Sequence, residues 1–453
     1  MRKYCDKALM LTILTLAWPT MLEQLLQTAV QYIDTAMVGS LGTSATAAVG
    51  ATSTVAWLVG STVSAFGVGF LSYIARSCGA GDKTAAAHAT SQAVLVTLVL
   101  GSVLTILLAV VSPWVPVWMQ VEPSVQADAS KYFLILYLPM LPRTASILFG
   151  TVLRAAGDTK TPMKVGLMVN ILNVIGNFLL IFPTRELSVF GLNVTMYGAD
   201  LGVIGAALAS ALSFCFGGIY ITVVLWRHPL VSPKGLSLKP DKTILLPCMK
   251  VAFPNMLQRF GTSMGYVAFA SMINTLGEAA TAAHTIANTV ESAFYIPGYG
   301  MQTAAATLAG NAYGAGEKDR IRELARMFMV IETVLMMLSG AALFASAPAL
   351  VSLFSDSTEV ISLGSTVLRM VALSEPFFGI SIILEGMMLG VGNTRQPFAY
   401  NLLGMWGVRI VGTAICTSYF GGGLAVAWGC MIAHNLLLFA LFVSAYLRNK
   451  WIR

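Results

Sequence analysis

Long apolar stretches limit what this chain can fold into more than any other feature. Ala93–Val111 and Leu424–Leu447 each run about the thickness of a bilayer without a single Asp, Glu, Lys or Arg. A membrane-spanning helix needs about 20 mostly apolar residues. Of the 453 residues, 57% are apolar and 10% charged, where a soluble globular protein carries about 25% charged residues. That composition excludes a soluble domain, a disordered chain, a collagen and a disulfide scaffold. A barrel would need segments of about ten alternating residues, whereas these stretches are unbroken. In lipid, each backbone group of such a segment has to be satisfied within the segment itself. The fold class is therefore all-α and polytopic.

Apolar runs read against Gly, Pro and charged punctuation give twelve spans, at about 9–37, 45–74, 86–111, 125–150, 163–183, 201–226, 246–274, 280–309, 323–346, 361–388, 398–418 and 424–447. Alternate loops and the two ends then hold 21 of the 27 Lys and Arg residues. The positive-inside rule puts both termini in the cytoplasm of a bacterial inner membrane. The net charge of +7 follows from orientation, and no nucleic-acid partner is needed to explain it. The first apolar segment outruns a signal peptide and is read as a retained span. The six cysteines, with no CxxC spacing, read as apolar filler.

Shifting the sequence by 235 residues superposes its punctuation. Pro19 meets Pro254, and Gly79-Ala80-Gly81-Asp82 meets Gly314-Ala315-Gly316-Glu317. Gly157-Asp158-Thr159 with Pro162 meets Gly392-Asn393-Thr394 with Pro397. The expected domains are a six-helix bundle at 1–226, a cytoplasmic linker at 227–245 and a second six-helix bundle at 246–453. Six spans per half is an even number, so the halves share one orientation, related by a pseudo-two-fold along the membrane normal. This is the build of a secondary transporter working by alternating access.

The segments "QYIDTAMVGSLG" (31–42), "SCGAGDKTAAAHA" (77–89), "LRAAGDTKTP" (153–162), "NILNVIGNFLLIF" (170–182), "LGVIGAALASAL" (201–212), "GNAYGAGEKDRIRELA" (310–325) and "LGVGNTRQP" (389–397) resemble the multidrug and toxic compound extrusion (MATE) family, over nearly the whole chain. The resemblance implies an antiporter, driven by H⁺ or Na⁺, that exports amphipathic cationic organic compounds as a monomer. Small organic molecules and the bilayer are its expected partners, and it needs no cofactor.

Six acids fall inside spans: Glu23, Asp34, Glu291, Glu332, Glu375 and Glu385. An acid at a helix centre facing lipid costs about 2.5–3.5 kcal/mol, so each should face a cavity, a partner or the interface. Asp34 ranks first, because Gln24, Gln27, Gln31 and Asp34 recur at helical spacing and form one polar stripe. Asn173 and Asn177, one turn apart on the fifth span, form a second stripe and are its natural partners. Amides joining helices for packing alone are the competing reading. In the second half the positions equivalent to Asp34, Asn173 and Asn177 are Phe269, Val408 and Gly412, so the acid is confined to the first.

Resemblance to the DinF-like branch adds Ser210 and implies a cation-coupling site of Asp34, Asn173, Asn177 and Ser210. Na⁺ is a possible occupant of Asp34, Asn173 and Asn177. The second fifth-helix position is commonly Asp in that branch; Asn177 removes a charge and suits proton coupling at least as well. Pro19 matches a first-helix hinge. The NorM-like branch has an acid on the seventh helix, where this chain has Gln258 and Arg259.

Glu291, Glu375, Glu385 and Arg259, with the three glutamines, are the candidate cavity lining. Pairing of Glu375 or Glu385 with Arg259 or Arg409 is the alternative for those charges. "YIPGYG" (295–300) reads as a helix-breaking segment beside Glu291. No GxxxxGK[ST] or HExxH motif occurs, and the four histidines form no metal set, so the chain is not expected to be an enzyme. The runner-up is a flippase for lipid-linked saccharides, which would use Arg143, Arg259, Arg369 and Arg409.

Overall fold

The computed structural model describes residues 7–119, 121–189, 192–449 and 451–452. The chain is a multi-pass membrane protein, and the helices of its described residues arrange as twelve spans. Among the described residues, seven helices are long and apolar enough to cross a bilayer by themselves: Lys7–Gly39 (first span), Ser44–Gly79 (second), Lys83–Val111 (third), Lys160–Leu180 (fifth), Gly202–Arg227 (sixth), Lys318–Ser352 (ninth) and Leu424–Leu447 (twelfth). The fourth and tenth spans are each broken in two. Pro123–Tyr137 meets Met140–Ala155 at 48°, and Thr358–Ala372 meets Glu375–Gly390 at 54°. Both breaks fall beside a proline, Pro139 or Pro376, which interrupts the backbone ladder. The seventh span (Lys242–Asn274), the eighth (Glu278–Gly314) and the eleventh (395–418) are long enough but more polar. They are the repeat partners of the first, second and fifth.

Helix starts keep the 235-residue offset from Lys7/Lys242 through Thr43/Glu278, Lys83/Lys318, Pro123/Thr358 and Met140/Glu375 to Lys160/Arg395. The turn glycines keep it too, with φ of +114° and +108° at Gly42 and Gly277, +74° and +76° at Gly81 and Gly316, and +88° and +86° at Gly157 and Gly392. These are conformations that a side chain resists. The last pair of starts, Gly202 and Leu424, falls out of step. There the first half spends residues on an antiparallel hairpin, β1 (Pro183–Val189) with β2 (Leu192–Ala199), where the second half has a short turn. The all-α expectation missed this hairpin; Val194 and Thr195 with Tyr197 are its β-prone residues. The eighth span also departs from expectation, running unbroken through Pro297 and the supposed helix-breaking segment.

The chain divides into two compact units. One comprises Leu25–Phe70 and Lys83–Leu246; the other comprises Met1–Gln24, Leu71–Asp82 and Pro247–Arg453. These units cut across the expected divisions at 226 and 246. In the second unit, buried Leu9, Ile13 and Ala17 of the first span join a core with Ala305, Phe328, Leu384 and Phe442. The second and eighth spans cross there at equivalent positions. A Cβ on Gly79 would overlap the carbonyl oxygen of Asn311, and one on Gly314 would overlap that of Arg76. Arg76 and Asn311 are themselves repeat partners, so the crossing has local two-fold symmetry. In the other unit, Gln92 is 2% exposed and fastens the segment that precedes the seventh span. It donates to Lys239 O at 2.9 Å and accepts from the Asp241 N–H at 3.0 Å.

Candidate functional site

The structure brings Asp34, Asn173, Asn177 and Ser210 together inside one unit. Helical periodicity puts Asn173 and Asn177 on one face of the fifth span, 6% and 1% exposed. The sixth span packs on that face closely enough that a Cβ on Gly176 would come 2.9 Å from the Ala209 side chain. Asn177 Nδ2 donates to Asp34 Oδ1 at 2.5 Å. An ionised carboxylate only accepts, so the Asn173 amide turns its nitrogen toward it. In that orientation Asn173 donates to Asp34 Oδ1 at 2.8 Å and Oδ2 at 3.1 Å, and its oxygen accepts from Ser210 Oγ at 2.9 Å. The opposite orientation, with Nδ2 donating to Ser210 Oγ at 2.9 Å, would offer the carboxyl an acceptor and so suits a protonated Asp34. Asn177 Oδ1 is buried with no donor. The site thus contains one carboxylate, two amides, a hydroxyl and one orphaned acceptor.

Gln27 and Gln31 are exposed and Gln24 is half-buried. Pro19 lies inside a continuous helix, next to Thr20, whose hydroxyl donates to Ala17 O at 2.8 Å and Gly300 O at 2.9 Å. The bond to Gly300 ties the helix to the eighth span in the same unit.

Among the described residues the second-half acids form no direct ion pair with the arginines considered for them, although Arg259 is a charged neighbour of Glu385. Glu385 Oε1 accepts from Gln258 Nε2 at 2.6 Å, while Arg259 Nε donates to Asn255 Oδ1 at 3.0 Å. Glu375, 1% exposed, has Glu291 and Glu332 as its charged neighbours, and its two oxygens, like those of Glu332, lack hydrogen-bond partners. Space for the Glu332 carboxyl exists because Gly298 and Gly379 have no Cβ. Glu291 lines a cavity with Tyr266, Asn288, Tyr295, Phe378, Arg409, Met431 and Asn435. The arginines a flippase would use have separate neighbours: Arg143 stacks on Phe214, Arg369 on Phe344 and Arg409 on Phe269.

The structure promotes Arg409, which was not among the candidate lining residues. Leu403–Ile410 is wound as a π-helix, which takes up an extra residue per turn and is frequent at functional sites. The inward face is therefore advanced by one position. Arg409 and Thr413 are buried, not Val408 and Gly412, which the 235-residue offset points to. Conserving the offset in the sequence hides this slip.

A duplicated set of six spans, with an acid–amide cluster buried in one unit, defines a multi-pass helical membrane protein of internally repeated build. The MatE family model matches residues 19–179 and again 254–415. The two matches start at the repeat-equivalent prolines. The chain belongs to the MatE family. It is 28% identical over 440 residues to a probable multidrug resistance protein NorM of Thermotoga maritima, covering 97% of this chain and 92% of that one. It is 26% identical over 467 residues to the multidrug resistance protein MdtK of Yersinia pseudotuberculosis, covering 100% and 97%. A crystal structure of MATE in complex with MaD3S has the same fold, with a TM-score of 0.89 at 22% identity over 98% of this chain and 97% of that one.

Proposed function

We propose that the chain is an ion-coupled antiporter exporting amphipathic cationic organic compounds, with Asp34 as the coupling group and both termini in the cytoplasm. The observation carrying this reading is the Asp34 carboxylate held by Asn173 and Asn177 beside the donorless oxygen of Asn177. Isolated carboxylates are expensive in a bilayer interior; this one is tolerated because two amides donate to it. A proton on Asp34, or Na⁺ bridging it to the Asn177 oxygen, neutralises it. Substrate and coupling ion then compete for one unit, and each biases the equilibrium by its differential affinity for the two access states. The membrane potential contributes about 2.3 kcal/mol per charge per 100 mV to inward cation flow.

Two relatives named as multidrug resistance proteins, matched over nearly the full chain, support drug export. Gln258 and Arg259 on the seventh span, with the acid on the first, support placement near the DinF-like branch.

The test is ethidium efflux from proteoliposomes under imposed H⁺ or Na⁺ gradients, for wild type and Asp34→Asn. Efflux driven by one gradient and lost in the variant is the expected result. Gradient-driven efflux that persists in Asp34→Asn rules out Asp34 as the coupling group.

A further inference from the structure

The ninth span carries a basic stripe that neither coupling at Asp34 nor the repeat calls for. It has 35 residues and so runs about 52 Å, where the hydrocarbon core of a bilayer is about 30 Å thick. About two turns at each end therefore stand at headgroup level. Arg322 and Arg326 lie there, both exposed and one turn apart on one face, with Lys318 a turn before them. The same face continues through Val330, Val334 and Leu338, which are 61%, 54% and 67% exposed. Lys318 has a repeat partner in Lys83, but the partners of Arg322 and Arg326 in the third span are Ala87 and Ser91. The scaffold does not require these two arginines, and like charges one turn apart repel.

Arg322 is held in place from the twelfth span. Its Nε donates to Asn449 Oδ1 at 3.2 Å, and Asn449 sits in a left-handed turn, with φ of +51°, just past the end of that helix. Its other partner, Asp319, is 99% exposed, and so open a pair contributes little. Among the described residues Arg326 closes no ion pair. Tyr446 of the twelfth span has both arginines as charged neighbours. Guanidinium groups match phosphate oxygens with paired N–H donors. A free phosphate would use the arginines alone. A phospholipid uses the whole face, its phosphate on the two arginines and an acyl chain along the apolar side chains below them. A zwitterionic headgroup brings its own ammonium against the arginines, and an anionic one does not. We infer that the exposed face of the ninth span is a binding site for an anionic phospholipid, its phosphate on Arg322 and Arg326 and an acyl chain over Val330, Val334 and Leu338.

Delipidated protein in a neutral detergent, titrated with phosphatidylglycerol or with phosphatidylcholine of identical acyl chains, tests this. Bound lipid is counted by native mass spectrometry. Wild type should bind phosphatidylglycerol at least about tenfold more tightly, as expected from two basic side chains at an anionic headgroup. Arg322→Gln combined with Arg326→Gln should remove that preference. Arg320→Gln, which takes one positive charge from the opposite side of the same turn, should leave it intact. Equal losses in Arg320→Gln and in the double variant would reduce the effect to general surface charge and overturn the inference. So would a wild type without preference, or displacement of phosphatidylglycerol by excess inorganic phosphate. The wild-type comparison stands even if a variant fails to fold. Efflux does not enter the measurement, so it fails or succeeds independently of the role of Asp34.

Discussion

The two halves share a backbone plan but solve opposite electrostatic problems at equivalent places. In the first, Asp34 receives hydrogen bonds from Asn173 and Asn177. In the second, Phe269 takes the place of that acid, and the guanidinium of Arg409 lies over its ring. One half presents a negative group with an orphaned acceptor beside it; the other carries a built-in positive group. Duplication supplies the scaffold, and one substitution plus one π-wound turn reverses the sign. A repeat conserved in its loops can therefore hold unrelated chemistry in its spans.

The largest expected effect would break the comparison if it failed. Asp34→Asn should reduce ion-driven ethidium efflux to the level of empty liposomes while leaving the melting temperature unchanged or higher, because the amide needs no counter-charge. Arg409→Met should do the opposite in kind. It leaves Glu291 uncompensated and should cost about 3–5 kcal/mol of stability, the scale for removing one partner from a buried charge set. Thermal denaturation checks this, and adding Glu291→Gln should recover most of the loss. Next in size, Asn177→Ala removes one donor from a charged acceptor, worth about 1.5–3 kcal/mol. Efflux at a fixed gradient should then fall about ten- to hundredfold.

Smaller effects probe where the halves are alike. Gly79→Ala and Gly314→Ala each push a methyl group into the opposing backbone at the crossing, and each should cost about 1–3 kcal/mol. The two losses should match. Gly42→Ala and Gly277→Ala meet no neighbour and only strain φ, at about 1–2 kcal/mol each. A difference between partners in either pair would show that the local symmetry is not energetic.

Apolar run length made the helices legible in the sequence, and the glycine-bearing turns made the repeat legible. Both are local signals, carried by composition and by backbone torsion. Asp34 and the Asn173/Asn177 stripe were legible because a polar residue is conspicuous in a membrane helix, and helical spacing says which ones share a face. Arg409 was not, because the π turn that brings it inward leaves the residue numbering of the repeat intact and changes only the rotation about the helix axis. Pro297 misled in the other direction. A proline followed by Gly298 and Gly300 reads as a break, yet the packed eighth span absorbs it. The hairpin after the fifth span was missed because its strands are short and lie between two strong apolar signals that claim attention first.

The amide of Asn173 has a consequence of its own. Rotating a primary amide half a turn exchanges its donor and acceptor ends while leaving its outline almost unchanged. Asp34 can therefore pass between charged and neutral forms with Asn173 following like a compass needle, displacing no neighbour. Whatever the rest of the protein senses from that event is carried by polarity alone. A nonpolar residue of the same shape at position 173 would keep the packing and silence the message.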